Sequence, residues 1–158
     1  MSRITRSVLV LASALLVSLV GTSAVATAQT APQGHTWHLE QFDRTSRMCV
    51  QQGPDGRTHA SYFFFVVSGK WATDLEFGMR DLPPGWTATE HHLPPGSNLH
   101  DSDGSIRVNG FVGVQGPASV PLATYRAHIW VSDGTVTETL PTDIIVTTES
   151  WVDCMNRG

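Results

Sequence analysis

The sequence predicts an all-β sandwich, and three observations predict it. Beyond about residue 35 the apolar residues show almost no helical period. Short runs rich in Val, Ile, Thr, Tyr, Phe and Trp recur instead, several alternating apolar with polar. Gly, Pro, Asp and Asn punctuate these runs at regular intervals, as turns between strands require. Finally, the two cysteines of the chain, Cys49 and Cys154, stand near the two ends of this region. The expectation is a single domain over residues 35–158, with about seven or eight antiparallel strands and one disulfide.

The disulfide expectation follows from the N-terminus. Arg3 and Arg6 precede an uncharged apolar run from Ser7 to Val20, and small residues follow, ending "SAVATAQT". This is the pattern of a signal peptide over residues 1–28. Ala26-Thr27-Ala28 fits the small-x-small rule and predicts cleavage after Ala28, with Ala26 the second choice. The run is short for a membrane anchor and carries no cysteine for lipidation, so no stable membrane insertion is expected after cleavage. Residues 29–34 read as a flexible N-terminal tail. The expected localisation is secreted, where two cysteines pair. Closing a loop of about a hundred residues contributes about 4–5 kcal/mol in the chain-entropy model.

Charge narrows the partners. The chain holds 10 bases and 14 acids, and loss of Arg3 and Arg6 leaves a formal charge of −6. The bases are scattered singly. A mature protein of this kind is not built for nucleic acid or for an anionic membrane surface.

The strands are expected in order. "HTWHLEQF" places Trp37 and Leu39 on one face and His38 and Glu40 on the other. "RMCVQ" is a second short run. "SYFFFVV" is continuously apolar, as in a central strand covered on both faces. "KWATDLEF" alternates, with Trp71, Thr73, Leu75 and Phe77 sharing a face. "SIRVNGFVGV" is broken at Asn109-Gly110 by a bulge or hairpin turn. "TYRAHIWV" points Tyr125, Ala127, Ile129 and Val131 inward and Trp130 outward. "GTVTETL" and "TDIIVTT" read as one edge strand broken at Pro141.

"ATYRAHIWVSDGTVTETLPTDIIV" resembles the last two strands of immunoglobulin-like and fibronectin-like modules of bacterial exported proteins. There, a Tyr at the position of Tyr125 bonds backbone at the corner between the sheets. "DLPPGWTAT" resembles the turn from which a strand leaves the loop in such modules. The whole chain also resembles an uncharacterised family of small secreted actinobacterial proteins. The resemblance implies an immunoglobulin-like sandwich and no particular activity.

The tetrapeptide Leu-Pro-Pro-Gly occurs twice, at Leu82–Gly85 and Leu93–Gly96. Two stiff turns would frame a short strand and present Trp86, His91 and His92 at low entropic cost. With Arg126, His128 and Trp130 on an outward sheet face, these make six candidate binding residues. A weaker candidate is a metal site in "HHLPPGSNLHDSD", drawing on His91, His92, His100, Asp101 and Asp103. Adjacent strand residues point to opposite faces, so His91 and His92 do not readily share an ion. "DSDGS" resembles the start of a calcium loop but lacks its later ligands.

No nucleophile elbow, zinc-protease helix motif, phosphate loop or dinucleotide fingerprint occurs. No catalytic residues and no cofactor are expected. The reading is a secreted non-enzymatic recognition module for a protein or glycan at or outside the cell surface. The alternative is a small metal-binding protein or metal-dependent hydrolase using the His91–Asp103 loop. A purely structural envelope protein would show no contiguous aromatic patch.

Overall fold

In the computed structural model, residues 35–41 and 46–157 are described. The expected signal peptide and tail, residues 1–28 and 29–34, lie outside the described residues. Eleven strands and one helix follow in order: β1 Trp37–Leu39, β2 Ser46–Gln51, β3 Thr58–Phe65, β4 Val67–Trp71, β5 Leu75–Arg80, β6 Thr87–Ala88, β7 His91–Leu93, β8 Gly96–Asn98, β9 Gly110–Pro117, β10 Ala123–Ser132, β11 Thr137–Thr147 and α1 Trp151–Asn156. One sheet has the order β2-β11-β10-β5-β7, and two smaller sheets have the orders β1-β4-β8 and β3-β9-β6. The smaller sheets are joined because β3 and β4 are continuous except at Val66.

The fold class is the expected one, an all-β sandwich with a Cys49–Cys154 disulfide, though built from eleven strands among the described residues rather than seven or eight, several of them only two or three residues long. One core fills the space between the five-stranded sheet and the two smaller ones. Leu75, Phe77, Ala127, Ile129, Val131 and Ile144 come from the first, and Trp37, Phe63, Phe65, Val67, Val112 and Val114 from the others. Period-2 alternation decides the choice: burial along β10 and β11 switches at nearly every residue. Tyr125 makes the expected corner bond, its hydroxyl donating to the Pro121 carbonyl oxygen at 2.9 Å.

Several details differ from expectation, each for a physical reason. The β2–β11 pair is parallel, unlike the antiparallel strands expected throughout; no hairpin joins these two strands, so their direction is not constrained to be antiparallel. The strand β11 runs through Pro141 and lies inside the sheet, between β10 and β2. Pro141 sits opposite His128 and one residue ahead of the first β2 partner, so its missing N–H falls at the end of that pairing. "KWATDLEF" is not one strand: it ends β4 at Trp71 and begins β5 at Leu75, in different sheets. "SYFFFVV" alternates rather than being covered on both faces, with Phe63 and Phe65 buried and Tyr62 and Phe64 exposed.

Asn109-Gly110 makes neither bulge nor hairpin but opens β9. The Asn109 side-chain oxygen accepts from the Val67 N–H at 2.7 Å, and its own N–H donates to Phe65 at 3.2 Å. Buried Asn98 adds its amide, with Nδ2 2.9 Å from Asn109 Oδ1 and 3.0 Å from the Val67 carbonyl. These two amides satisfy the backbone where the β3–β4 run breaks, a place where unpaired groups would cost stability.

The chain ends in α1, capped by Ser150, whose hydroxyl accepts from the Asp153 N–H at 3.2 Å. Arg47 on β2 donates to the carbonyls of Met155 and Arg157 at the other end. These contacts lay the helix against β2 and bring Cys154 within a Cα distance of 6.1 Å of Cys49.

Candidate functional site

The two Leu-Pro-Pro-Gly stretches behave differently. The first is a turn: the Trp86 N–H donates to the Pro83 carbonyl at 3.0 Å, and Gly85 takes φ +75°, the left-handed position such a turn reserves for glycine. The second links β7 to β8 through a bend at Pro95, and Gly96 already pairs with Trp71 in β8. Across the two stretches the chain visits all three sheets. The strand β6 joins β9, β7 joins β5, and β8 joins β4. The expected single framed strand is therefore two short ones, β6 and β7, with β8 beginning as the second stretch ends.

This path decides which candidates meet. Trp86 does not reach the surface. It is 7 % exposed, its indole N–H donates to the Pro117 carbonyl at 3.1 Å, and it packs on Gly116. As a core residue it is withdrawn from the binding candidates.

Of the other five, Arg126, His128, Trp130 and His92 share the outer face of the five-stranded sheet, while His91, at its edge, lies on the face of Phe77. Because Ala127, Ile129 and Val131 fill the core, Arg126, His128 and Trp130 alternate onto the outer face of the five-stranded sheet. Trp130 stands opposite Gly78, and a Cβ at 78 would lie 3.0 Å from its indole. His92 stands opposite Glu76, and His91 opposite Phe77 with ring centroids 6.1 Å apart. Trp130, Glu76, Glu90, His91 and His92 line an open depression of about 270 Å³. Beside it, Arg126 donates to Asp143 at 2.6 Å, and the His128 ring meets Asp81 at 2.9 Å. Arg126 and His128 are thus each matched by a carboxylate.

The His91–Asp103 segment does not converge on an ion. His91 and His92 point to opposite faces. The His100 ring nitrogens meet the Gly104 carbonyl at 3.0 Å and Glu40 at 3.4 Å, and these two contacts raise its pKa above the ordinary value. Asp101 and Gly104 close a turn with φ +83° at Gly104. The Asp103 carboxylate accepts from the Ser105 N–H at 2.9 Å, and its bonds with Ser105 hold it below the usual carboxylate range. The acidic pair shapes a turn, as Asp does where side chain and backbone compete.

Two arrangements escape the sequence reading. One is an aromatic face on the β3-β9-β6 sheet. Tyr62 and Phe111 are 63 % and 64 % exposed with ring centroids 5.6 Å apart, and Phe64, opposite Phe111, is 48 % exposed. A second depression, of about 310 Å³, lies on this sheet among Ala60, Thr87, Thr89 and Gly113. Strict alternation within "SYFFFVV" was the available signal, masked by the apolar run.

The other is a cluster of His35, His38 and Glu138, whose ligand atoms all lie within 4.8 Å of one another. Glu138 shares the inward row of β11 with Leu140, Thr142 and Ile144. An acid in an apolar row is a signal that a partner must exist. The partners lie about a hundred residues away, which no local pattern reveals.

Fold and surface together define a small disulfide-closed β-sandwich with two open sheet faces. The chain belongs to the family of unknown function DUF5980, whose model matches residues 38–149. No curated protein matches it in sequence. Among solved structures it is similar to the ASH / PapD-like domain of human CEP192 (PapD-like domain 7). The identity is 11 %, the TM-score 0.44, and the match covers 82 % of this chain and 96 % of that one. Among the described residues no helix is long and apolar enough to cross a membrane.

Proposed function

We propose that the protein is an exported recognition module that binds a glycan at the cell surface through the outer face of its five-stranded sheet. The observation that carries this reading is the open depression lined by Trp130, Glu76, Glu90, His91 and His92. An indole offers a flat apolar platform for the C–H face of a sugar ring, while carboxylates and imidazoles exchange hydrogen bonds with its hydroxyls. Arg126 and His128 are already matched by Asp143 and Asp81. Such a face favours a neutral polyhydroxylated ligand over a polyanion. Export follows from the expected signal peptide and accords with the disulfide.

The experiment is co-sedimentation of the protein with bacterial cell wall, chitin and cellulose, beside a Trp130→Ala variant. Retention that the variant loses supports the reading. Absence of retention on every polymer sinks it.

A second reading, a protein partner, draws on a different observation. Tyr62, Phe64 and Phe111 form a contiguous exposed aromatic group of the kind enriched at protein interfaces. It is also the feature that a purely structural envelope protein would lack.

A further inference from the structure

We propose that His35, His38 and Glu138 form a binding site for one divalent cation of the zinc and copper class, on the edge of the sandwich where β1 meets β11. The donor set is two imidazoles and a carboxylate, which suits these ions and not calcium or magnesium.

The geometry is close to a ligand set. His35 Nε2 and His38 Nδ1 both approach Glu138 Oε1, the second at 3.1 Å, and the two rings have centroids 4.9 Å apart. Ligand atoms on a tetrahedral ion with bonds of about 2.0–2.1 Å lie about 3.3 Å from each other. The His38–Glu138 spacing is already near that value; the His35–Glu138 pair must open and the more distant ligand atoms, all within 4.8 Å, must draw together, shifts that side-chain rotation at exposed and half-buried rings supplies. The bend at Thr36, ahead of β1, is what lets residues three apart converge, since a straight strand would send them to opposite faces.

The supports are those a metal site uses. Glu138 Oε2 accepts the Leu39 N–H at 2.5 Å, which fixes the carboxylate and leaves Oε1 to the imidazoles. Trp37, between the two histidines, is buried, and its indole N–H donates to Asp133 at 3.0 Å, which anchors the backbone carrying both. The His38 side chain is 65 % exposed, so an ion can enter from solvent. Three protein ligands leave a fourth position for water or a partner's atom.

Calorimetric titration of the purified, tag-free, chelator-treated protein with Zn²⁺ tests the proposal. One equivalent is expected to bind. His38→Ala, a change at an exposed ring that leaves the core intact, is expected to weaken binding about ten-fold or more, and Glu138→Gln likewise. A His91→Ala, His92→Ala double variant is expected to bind as the wild type does. Circular dichroism of each variant confirms the fold. Absence of binding, binding indifferent to His38→Ala, or equal loss in the His91/His92 variant would overturn the assignment.

Discussion

The Trp130 indole lies over the bare backbone of Gly78, its register partner on the neighbouring strand. A Cβ at 78 would meet the indole at 3.0 Å and the Glu90 side chain at 3.1 Å. The glycine thus leaves room for Trp130 and Glu90, two residues that line the depression. Gly78→Ala is expected to lift the indole and push Glu90 aside. It should destabilise the fold by about 1–3 kcal/mol, the usual range for overpacking, and weaken ligand retention even where the protein stays folded. Denaturant unfolding and co-sedimentation of one preparation check the two effects separately.

Trp86 and Gly116 give a prediction of the opposite kind. A Cβ at Gly116 would stand 2.3 Å from the indole of Trp86, which no small shift relieves. Gly116→Ala and Trp86→Ala are both expected to be severe, the latter by about 3–5 kcal/mol for a large buried aromatic. Thermal unfolding measures this. A Trp86→Ala protein with wild-type stability would show that the first Leu-Pro-Pro-Gly turn does not anchor the core.

His59 supplies a pH dependence. Burial first, and the neighbouring Arg57 second, hold its pKa below the ordinary 6.5. As pH falls through 6.5 the unfolded chain takes up the proton more readily than the folded one. Stability is therefore full above that value and declines as pH falls toward the lowered folded pKa. His59→Gln is expected to flatten this part of the stability–pH curve. Urea unfolding from pH 7.5 to pH 5 would show it, and curves that stay parallel would contradict it.

The disulfide closes a sequence separation of 105 residues. A Cys49→Ser, Cys154→Ser variant is expected to lose about 4–5 kcal/mol by the loop-entropy relation. Unfolding in the presence and absence of reductant should show the same difference in the wild type and none in the variant.

Local patterns carried much of this fold. Alternation in "TYRAHIWV" placed three core residues and the outward Trp130, and the Tyr125 hydroxyl found its corner carbonyl. Adjacent imidazoles at His91 and His92 separated as strand geometry requires. What stayed hidden depended on distant partners. The two Pro-Pro-Gly stretches share a sequence, but one meets a turn and the other meets β4, and only the second strand explains the difference. Pro141 reads as a break until β10 and β2 are seen on either side of β11. Glu138 stands in an apolar row that calls for a partner, but which residues answer appears only when β1 lies beside β11.

The central claim is that Trp130, rather than the aromatic face of the other sheet, meets a sugar. The most direct measurement is retention on the cell-wall, chitin and cellulose panel for three proteins together: the wild type, Trp130→Ala, and a Tyr62→Ser, Phe111→Ser double variant. The wild type and the double variant are expected to be retained alike on one polymer while Trp130→Ala is released. Retention that survives Trp130→Ala but fails in the double variant would contradict it and move recognition to the Tyr62–Phe111 face.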